Sequence, residues 1–293
     1  MMLSAAHFSD RMPANFVDCE DAPYDLRPVV EAVMSAENWL LSRLPPDQKI
    51  VFLLNEAHTD EMSALSQMAV LNAHAVQKRK KPLLNFGYGF EAPHVFKVKD
   101  GLPNLEGAVI ESGQMNEEVI RYVSRKKISM RFNDASLVVH PNFFSVPCLD
   151  PKDKLTRDFM MKRAGFISPF FSAVDNDGMA IRNEAIVHNA IKHMDRIGAR
   201  IYLQQCGTAH SFGWKKSPYE DGLYVKFKEK GFAVVSVFPQ TFDINPDHLR
   251  YKVPQEFLKY CILVSGMAKS DNRHGNFART RDLVLAASGP NIF

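Results

Sequence analysis

Ile50-Val51-Phe52-Leu53-Leu54 is an unbroken apolar run, and it stops abruptly at Asn55-Glu56-Ala57-His58. A short run of this kind predicts a strand buried on both faces. Thr59 or Asp60 then offers an N-cap for an amphipathic helix over roughly Glu61–Lys78. A strand, a tight polar loop and a helix form the βα unit that brings ligands to the carboxyl edge of an open α/β sheet. The second half of the chain repeats the pattern, with Ile201–Cys206 as the strand and Gly207-Thr208-Ala209-His210 as the loop behind it. Two strands therefore each end in a segment of the form x-x-Ala-His. As near neighbours in a parallel sheet they would turn both histidines toward one crevice; two unrelated loop histidines would leave the same trace.

The remaining pattern fills in around these two units. Leu26, Val29, Val30, Val33, Trp39, Leu40 and Leu41 give an apolar face to a helix over Tyr24–Leu44, which Pro45-Pro46 ends. Leu83–Ala92 is strand-like and glycine-rich, and Gly87-x-Gly89-x-x-Ala92 matches a relaxed dinucleotide fingerprint. That fingerprint requires a helix N-terminus next. Pro93–Lys99 instead alternates like a second strand and meets a turn at Asp100-Gly101, so no dinucleotide site is expected here. Gly107–Glu111, Ser136–His140 and Phe143–Val146 read as short strands, and Asn116–Arg125 as a helix. Residues 148–178 read as a helical insertion carrying Phe159, Met160, Phe166, Ile167, Phe170 and Phe171, either a lid or an ordinary subdomain. Met179–Ile197 is the most regular helix. Tyr219–Lys230 and Tyr251–Val264 predict two more helices, with a strand at Phe232–Phe238 between them. The expected architecture is α/β: a central mixed, largely parallel sheet flanked by helices. Residues 1–24 read as a loosely ordered leader and 25–293 as a single domain.

Composition narrows the function classes. The chain has 293 residues, 36 basic against 33 acidic, for a formal net charge of +3. That near balance does not mark nucleic acid or an anionic membrane as the main partner. Lys78-Arg79-Lys80-Lys81-Pro82 is basic, but cations in a last helical turn followed by proline are what a helix end prefers. Cys19, Cys148, Cys206 and Cys261 are scattered with no CxxC pair, which fits reduced thiols in a cytosol. No apolar run is long enough to span a bilayer, and no secretory h-region is present.

The candidate chemistry rests on Glu56, His58, Glu91, Arg182 and His210. Glu91 ends an apolar strand, either as a site residue or as a solvated strand end. Arg182 shares the helical stripe of Met179, Ile186, Ala190, Met194 and Ile197, and an arginine among core positions requires a carboxylate or another anionic partner. His188 and His193 are five apart and share no face, so they are not a metal pair. Two imidazoles and one or two carboxylates can hold a divalent metal such as Mn or Co and activate water, with His58, Glu91 and His210 as its ligands. The same groups without a metal can perform general acid–base hydrolysis, Arg182 stabilising developing negative charge. No G-x-S-x-G elbow and no HExxH helix is present. Ser265-Gly266 and Cys206-Gly207 are the nearest nucleophile candidates, and water is the more economical one.

The ordered set of Asn55-Glu56-Ala57-His58, strand-end Glu91, Arg182 opening a long helix, and Cys206-Gly207-Thr208-Ala209-His210 resembles the erythromycin esterase/ChaN/TraB/Tiki superfamily. The resemblance covers about residues 48–240 and rests on four short motifs in the right order. It implies an α/β fold with a site at the strand ends. Glu56 and His58 would match the first loop, Glu91 the strand-end acid, Arg182 the helix arginine, and Gly207 with His210 the second loop. Asn55 stands where the family has glycine, and asparagine tolerates a left-handed turn there. The family's activities are lactone hydrolysis, metal-dependent proteolysis and haem-iron handling, with related modules in bacterial toxins and effectors. Two functional expectations follow. One is a hydrolase of ester or peptide substrates, small-molecule or protein, either cytoplasmic or delivered without a cleaved signal peptide as a virulence effector into a host cell. The other is a non-catalytic protein binding haem, another ligand or a host target on the same fold.

Overall fold

The computed structural model describes residues 16–19, 21, 25–56, 61–80, 85–94, 98–99, 102–103, 113–139, 146–212, 219–239 and 260–265. In chain order the elements are β1 (Phe16–Asp18), α1 (Arg27–Arg43), β2 (Ile50–Glu56), α2 (Glu61–Lys80), β3 (Phe86–Pro93), β4 (Val98–Lys99), β5 (Leu102–Pro103) and α3 (Gly113–Arg125). There follow β6 (Met130–Asp134), β7 (Leu137–Val139), β8 (Pro147–Leu149), α4 (Lys154–Ala164), α5 (Asn176–Ile197), β9 (Ile201–Gly207), α6 (Thr208–Phe212), α7 (Leu223–Glu229), β10 (Ala233–Pro239) and β11 (Cys261–Ser265).

Seven strands form one sheet in the order β1-β11-β10-β2-β9-β3-β6, and every pairing in it is parallel. The α/β fold expected from the periodicity is the fold observed. Among the described residues, antiparallel pairing lies outside it, in two small ladders, β4 with β5 and β7 with β8, and an isolated bridge between Cys148 and Ser172. The two x-x-Ala-His strands are direct neighbours, from Ile50 opposite Ile201 to Glu56 opposite Gly207.

The two-residue period of a strand divides the core. Ile50, Phe52 and Leu54 of β2 pack with α1, α2 and α3 on one face, whereas Val51 and Leu53 pack with α5 and α7 on the other. Both faces are covered, so β2 and β9 are buried along their whole length. Helix ends follow local chemistry. Asp153 caps α4 through the Thr156 N–H at 2.8 Å, Asp175 caps α5 through Gly178 N–H at 2.6 Å, and Gly165 and Gly198 end those helices with positive φ.

Several expectations are corrected. Tyr251–Val264 was expected to be a helix, but Cys261–Ser265 is strand β11, in the sheet between β1 and β10. Its apolar run is buried in the sheet, and such a run carries no period that separates strand from helix. Residues 251–259 lie outside the described residues, as do Gly107–Glu111. Strand β6 was not foreseen, because Met130-Arg131-Phe132-Asn133-Asp134 is largely polar and is made a strand by pairing with β3. Phe16–Asp18, read as part of the leader, is the edge strand β1. Gly87 and Gly89 sit inside β3, not in a turn. A side chain at Gly89 would collide with Gln204, Asn133 and Tyr202, so this glycine exists to let those side chains cross the strand.

Candidate functional site

The topology selects one edge of the sheet. From β2 the chain passes through α2 to β3, on one side; from β9 it passes through α6 and α7 to β10, on the other. Adjacent parallel strands whose chains depart in opposite directions make a switch point, and ligands bind outside the carboxyl ends of strands there. Glu56 and Gly207 are the last residues of those two strands.

Three of the five residues read from the sequence converge at this edge. Glu91, near the end of β3, faces α5. Its Oε1 accepts from Arg182 Nη2 at 2.7 Å and lies 3.0 Å from His210 Nε2, while its Oε2 accepts from the Gly207 N–H at 2.5 Å. All three side chains are nearly closed to solvent, Arg182 at 10%, Glu91 at 4% and His210 at 2% exposure. His210 is not on a loop as expected: α6 begins at Thr208, directly behind β9, and carries the imidazole in its first turn.

Asp134, at the end of the unforeseen strand β6, is the residue that sequence reasoning missed. It takes Arg182 in a two-pronged contact, Nε to Oδ2 at 3.0 Å and Nη2 to Oδ2 at 2.7 Å, with Oδ1 3.2 Å from Nε. The demand of a buried arginine for an anion was the available signal, but it gave no address. Burial works against the guanidinium charge, yet the charges of Asp134 and Glu91 and their hydrogen bonds outweigh it and raise the Arg182 pKa.

The orientation of His210 follows from its second neighbour. Asn183 Nδ2 donates to the Asp221 carbonyl at 2.8 Å, which turns Asn183 Oδ1 toward His210 Nδ1 at 2.5 Å. That ring nitrogen therefore donates to Asn183, while Nε2 is directed at the Glu91 carboxylate. Neither nitrogen is left to take a proton from water in this arrangement.

Glu56 belongs to the opposite face. Gln67 Nε2 of α2 donates to its Oε2 at 2.7 Å, Gln205 Nε2 donates to its Oε1, and Tyr88 Oη donates onward to Gln67 at 2.9 Å. Gln205 also ties the Glu56 carboxylate to the β3 backbone, because its Oε1 accepts from the Glu91 N–H at 2.7 Å. Asn55 is a buried strand residue, not a turn residue: its Oδ1 accepts from Ser211 Oγ at 2.5 Å and its Nδ2 donates to the Val237 carbonyl at 3.0 Å. The tolerance for left-handed backbone invoked for it is therefore not used. His58, with Ala57, Thr59 and Asp60, lies outside the described residues.

Two chemical alternatives are narrowed by these contacts. Burial pushes the Cys206 thiol well above its usual range, and neighbouring Glu91 adds to this, so the thiolate needed of a nucleophile is suppressed. For the metal set His58, Glu91 and His210, the two described donors hydrogen-bond each other, and the Arg182 guanidinium shares the same carboxylate oxygen. A divalent cation would displace that contact and stand beside a fixed positive charge. Among the described residues no group of three His, Cys, Asp or Glu side chains is arranged to hold a metal ion. As they stand, these donors do not fit a cation.

Comparison with family models, with curated proteins and with solved structures finds no match to this chain.

Proposed function

We propose that this chain is a hydrolase that activates water at the carboxyl edge of β2, β9 and β3 and cleaves an ester or peptide substrate. The observation that carries the reading is the Glu56 carboxylate at the end of β2, tied through Gln205 to the backbone N–H of Glu91 at the switch point. Glu56, which accepts from Gln67 and Gln205, is the general base together with His58 two residues on. One of them takes a proton from water as its oxygen attacks the substrate carbonyl, and the same proton passes to the leaving oxygen or nitrogen as the scissile bond breaks. Arg182, Glu91 and His210 brace the same strand ends from the α5 face. With both ring nitrogens engaged, His210 positions Glu91 and does not serve as the base.

One observation favours the non-catalytic alternative. Each oxygen of Glu91 and Asp134 and each ring nitrogen of His210 already meets a protein partner, so this cluster is complete as a brace for the two strand ends. Turnover separates the two readings. The full-length protein is assayed on panels of ester and peptide substrates, with and without added Mn²⁺ or Co²⁺. Hydrolysis that disappears in His58→Ala while the unfolding midpoint holds supports the hydrolase. No turnover on any panel leaves the binding protein.

A further inference from the structure

We propose that the loop between α4 and α5 is an interfacial anchor that inserts into the headgroup region of an anionic lipid bilayer. Phe166, Ile167 and Phe170 are 55%, 43% and 50% exposed, and Met161 and Val174 beside them are 46% and 44% exposed. These five are the exposed large hydrophobic residues among those described, and all fall within one short stretch of chain. Scattered apolar exposure is ordinary; a single contiguous cluster is not.

Local structure holds this cluster outward. Gly165 ends α4 with φ of 77°, a left-handed turn that directs the chain away from the helix axis. Behind the tip, Phe171 is buried with Leu149, Met160 and Ile181, and the Phe171 carbonyl accepts from the Leu149 N–H at 2.8 Å. Phe166 and Phe171 rings lie 5.6 Å apart. One phenylalanine therefore roots the loop while its neighbours face solvent, and the tip is a supported projection.

The charges beside the tip select the partner. Helix α4 carries Lys154, Arg157 and Lys162 against a single acid, Asp158, while its remaining cation, Arg163, is engaged by Asp177 and Asp221. Lys162, in the last turn before the tip, is 69% exposed and stands 3.9 Å from Glu184, at the outer limit of an ion pair. The acids on the far side are engaged: Asp177 accepts from Arg163 at 2.8 Å, and Asp175 caps α5. Exposed bulky apolar side chains with exposed Lys154 and Lys162 on the helix behind them match a bilayer interface, where rings enter the acyl boundary and cations stay with anionic headgroups. A protein partner would need a complementary apolar pocket rimmed with acid. The same loop lies at the α5 N-terminus, to which Arg163 ties it, and Arg182 of the candidate site lies further along that helix. The inference is independent of whether that site turns over substrate.

Full-length protein is tested by co-sedimentation with phosphatidylcholine vesicles, with and without phosphatidylglycerol, and by fluorescence of a Phe166→Trp variant measured against the wild type. The expected result is several-fold more protein pelleted with the anionic vesicles, weakened by salt and by Lys162→Glu, and abolished in Phe166→Ser/Phe170→Ser. The introduced tryptophan shifts to the blue and is quenched by brominated lipid. Equal sedimentation of the serine variant, or no blue shift, overturns the anchor. Loss of a dimer in the serine variant without vesicle binding also overturns it and assigns the patch to a second copy of the chain.

Discussion

The two faces of the sheet treat the same residue types in opposite ways. On the α1–α3 face, the carboxylate of Glu56 accepts from the neutral amides of Gln67 and Gln205, while a buried histidine, His74, lies 2.5 Å from the Glu37 carboxylate. On the α5–α7 face, the carboxylate of Glu91 is met by Arg182 and His210, while a buried histidine, His193, accepts or donates only with the hydroxyls of Tyr202 and Ser129. Burial is common to all four. What differs is the partner, and partners decide whether a buried group is held as an ion or as a neutral hydrogen-bonding group. The Glu91 carboxylate is met by a guanidinium, and the Glu56 carboxylate accepts from the amides of Gln67 and Gln205.

The largest effect is expected from breaking the charged face. Arg182→Ala leaves Glu91 and Asp134 buried without their shared cation, and should cost about 3–5 kcal/mol in urea unfolding. Arg182→Lys should fall between that variant and the wild type, because an ammonium cannot reproduce the two-pronged contact to Asp134. Wild-type stability in Arg182→Ala would mean that the cluster contributes nothing to the fold.

Glu56→Ala probes the amide face and should cost less, about 1–3 kcal/mol, for stranding the Gln67 and Gln205 donors. Hydrolytic activity should be lost with it. Folding feels the loss as well, since the Glu56 side chain is buried and bonded from two elements.

The buried histidines should give opposite pH signatures. Burial lowers the His193 pKa, helped by Arg196 and Arg131, to about 4. Its contribution is present above about pH 6.5, the ordinary histidine value, and is lost as pH falls toward 4. Burial also works against the His74 charge, but the Glu37 charge and hydrogen bond prevail and raise its pKa. Its contribution is full below about pH 6.5 and is lost as pH rises through the raised value. Stability measured by urea unfolding should fall less steeply toward acid in His193→Gln, and less steeply toward alkali in Glu37→Gln/His74→Gln, than in the wild type. Unchanged slopes in both variants would break the comparison.

The smallest stability effect belongs to His58→Ala, expected within about 1 kcal/mol of wild type while activity falls. Full activity in this variant would remove His58 from the base assignment.

Much of this molecule was determined by sequence alone. Unbroken apolar runs bounded by polar residues require strands covered on both sides, and Ile50–Leu54 and Ile201–Cys206 became neighbouring buried strands. The stripe through Met179, Arg182 and Ile186 required a buried cation with an anionic partner, and Arg182 has two. Tertiary structure alone decided which carboxylates met it. Asp134 reaches Arg182 because β6 pairs with β3, and nothing in a polar pentapeptide announces that pairing. Likewise Glu56 and Glu91 are strand-end carboxylates of the same apparent kind in sequence. Side-chain alternation along two strands placed them on opposite faces, one among amides and one against a guanidinium. Local periodicity is written in nearest neighbours along the chain, whereas the charge state of a buried group is set by whatever element long-range pairing brings beside it.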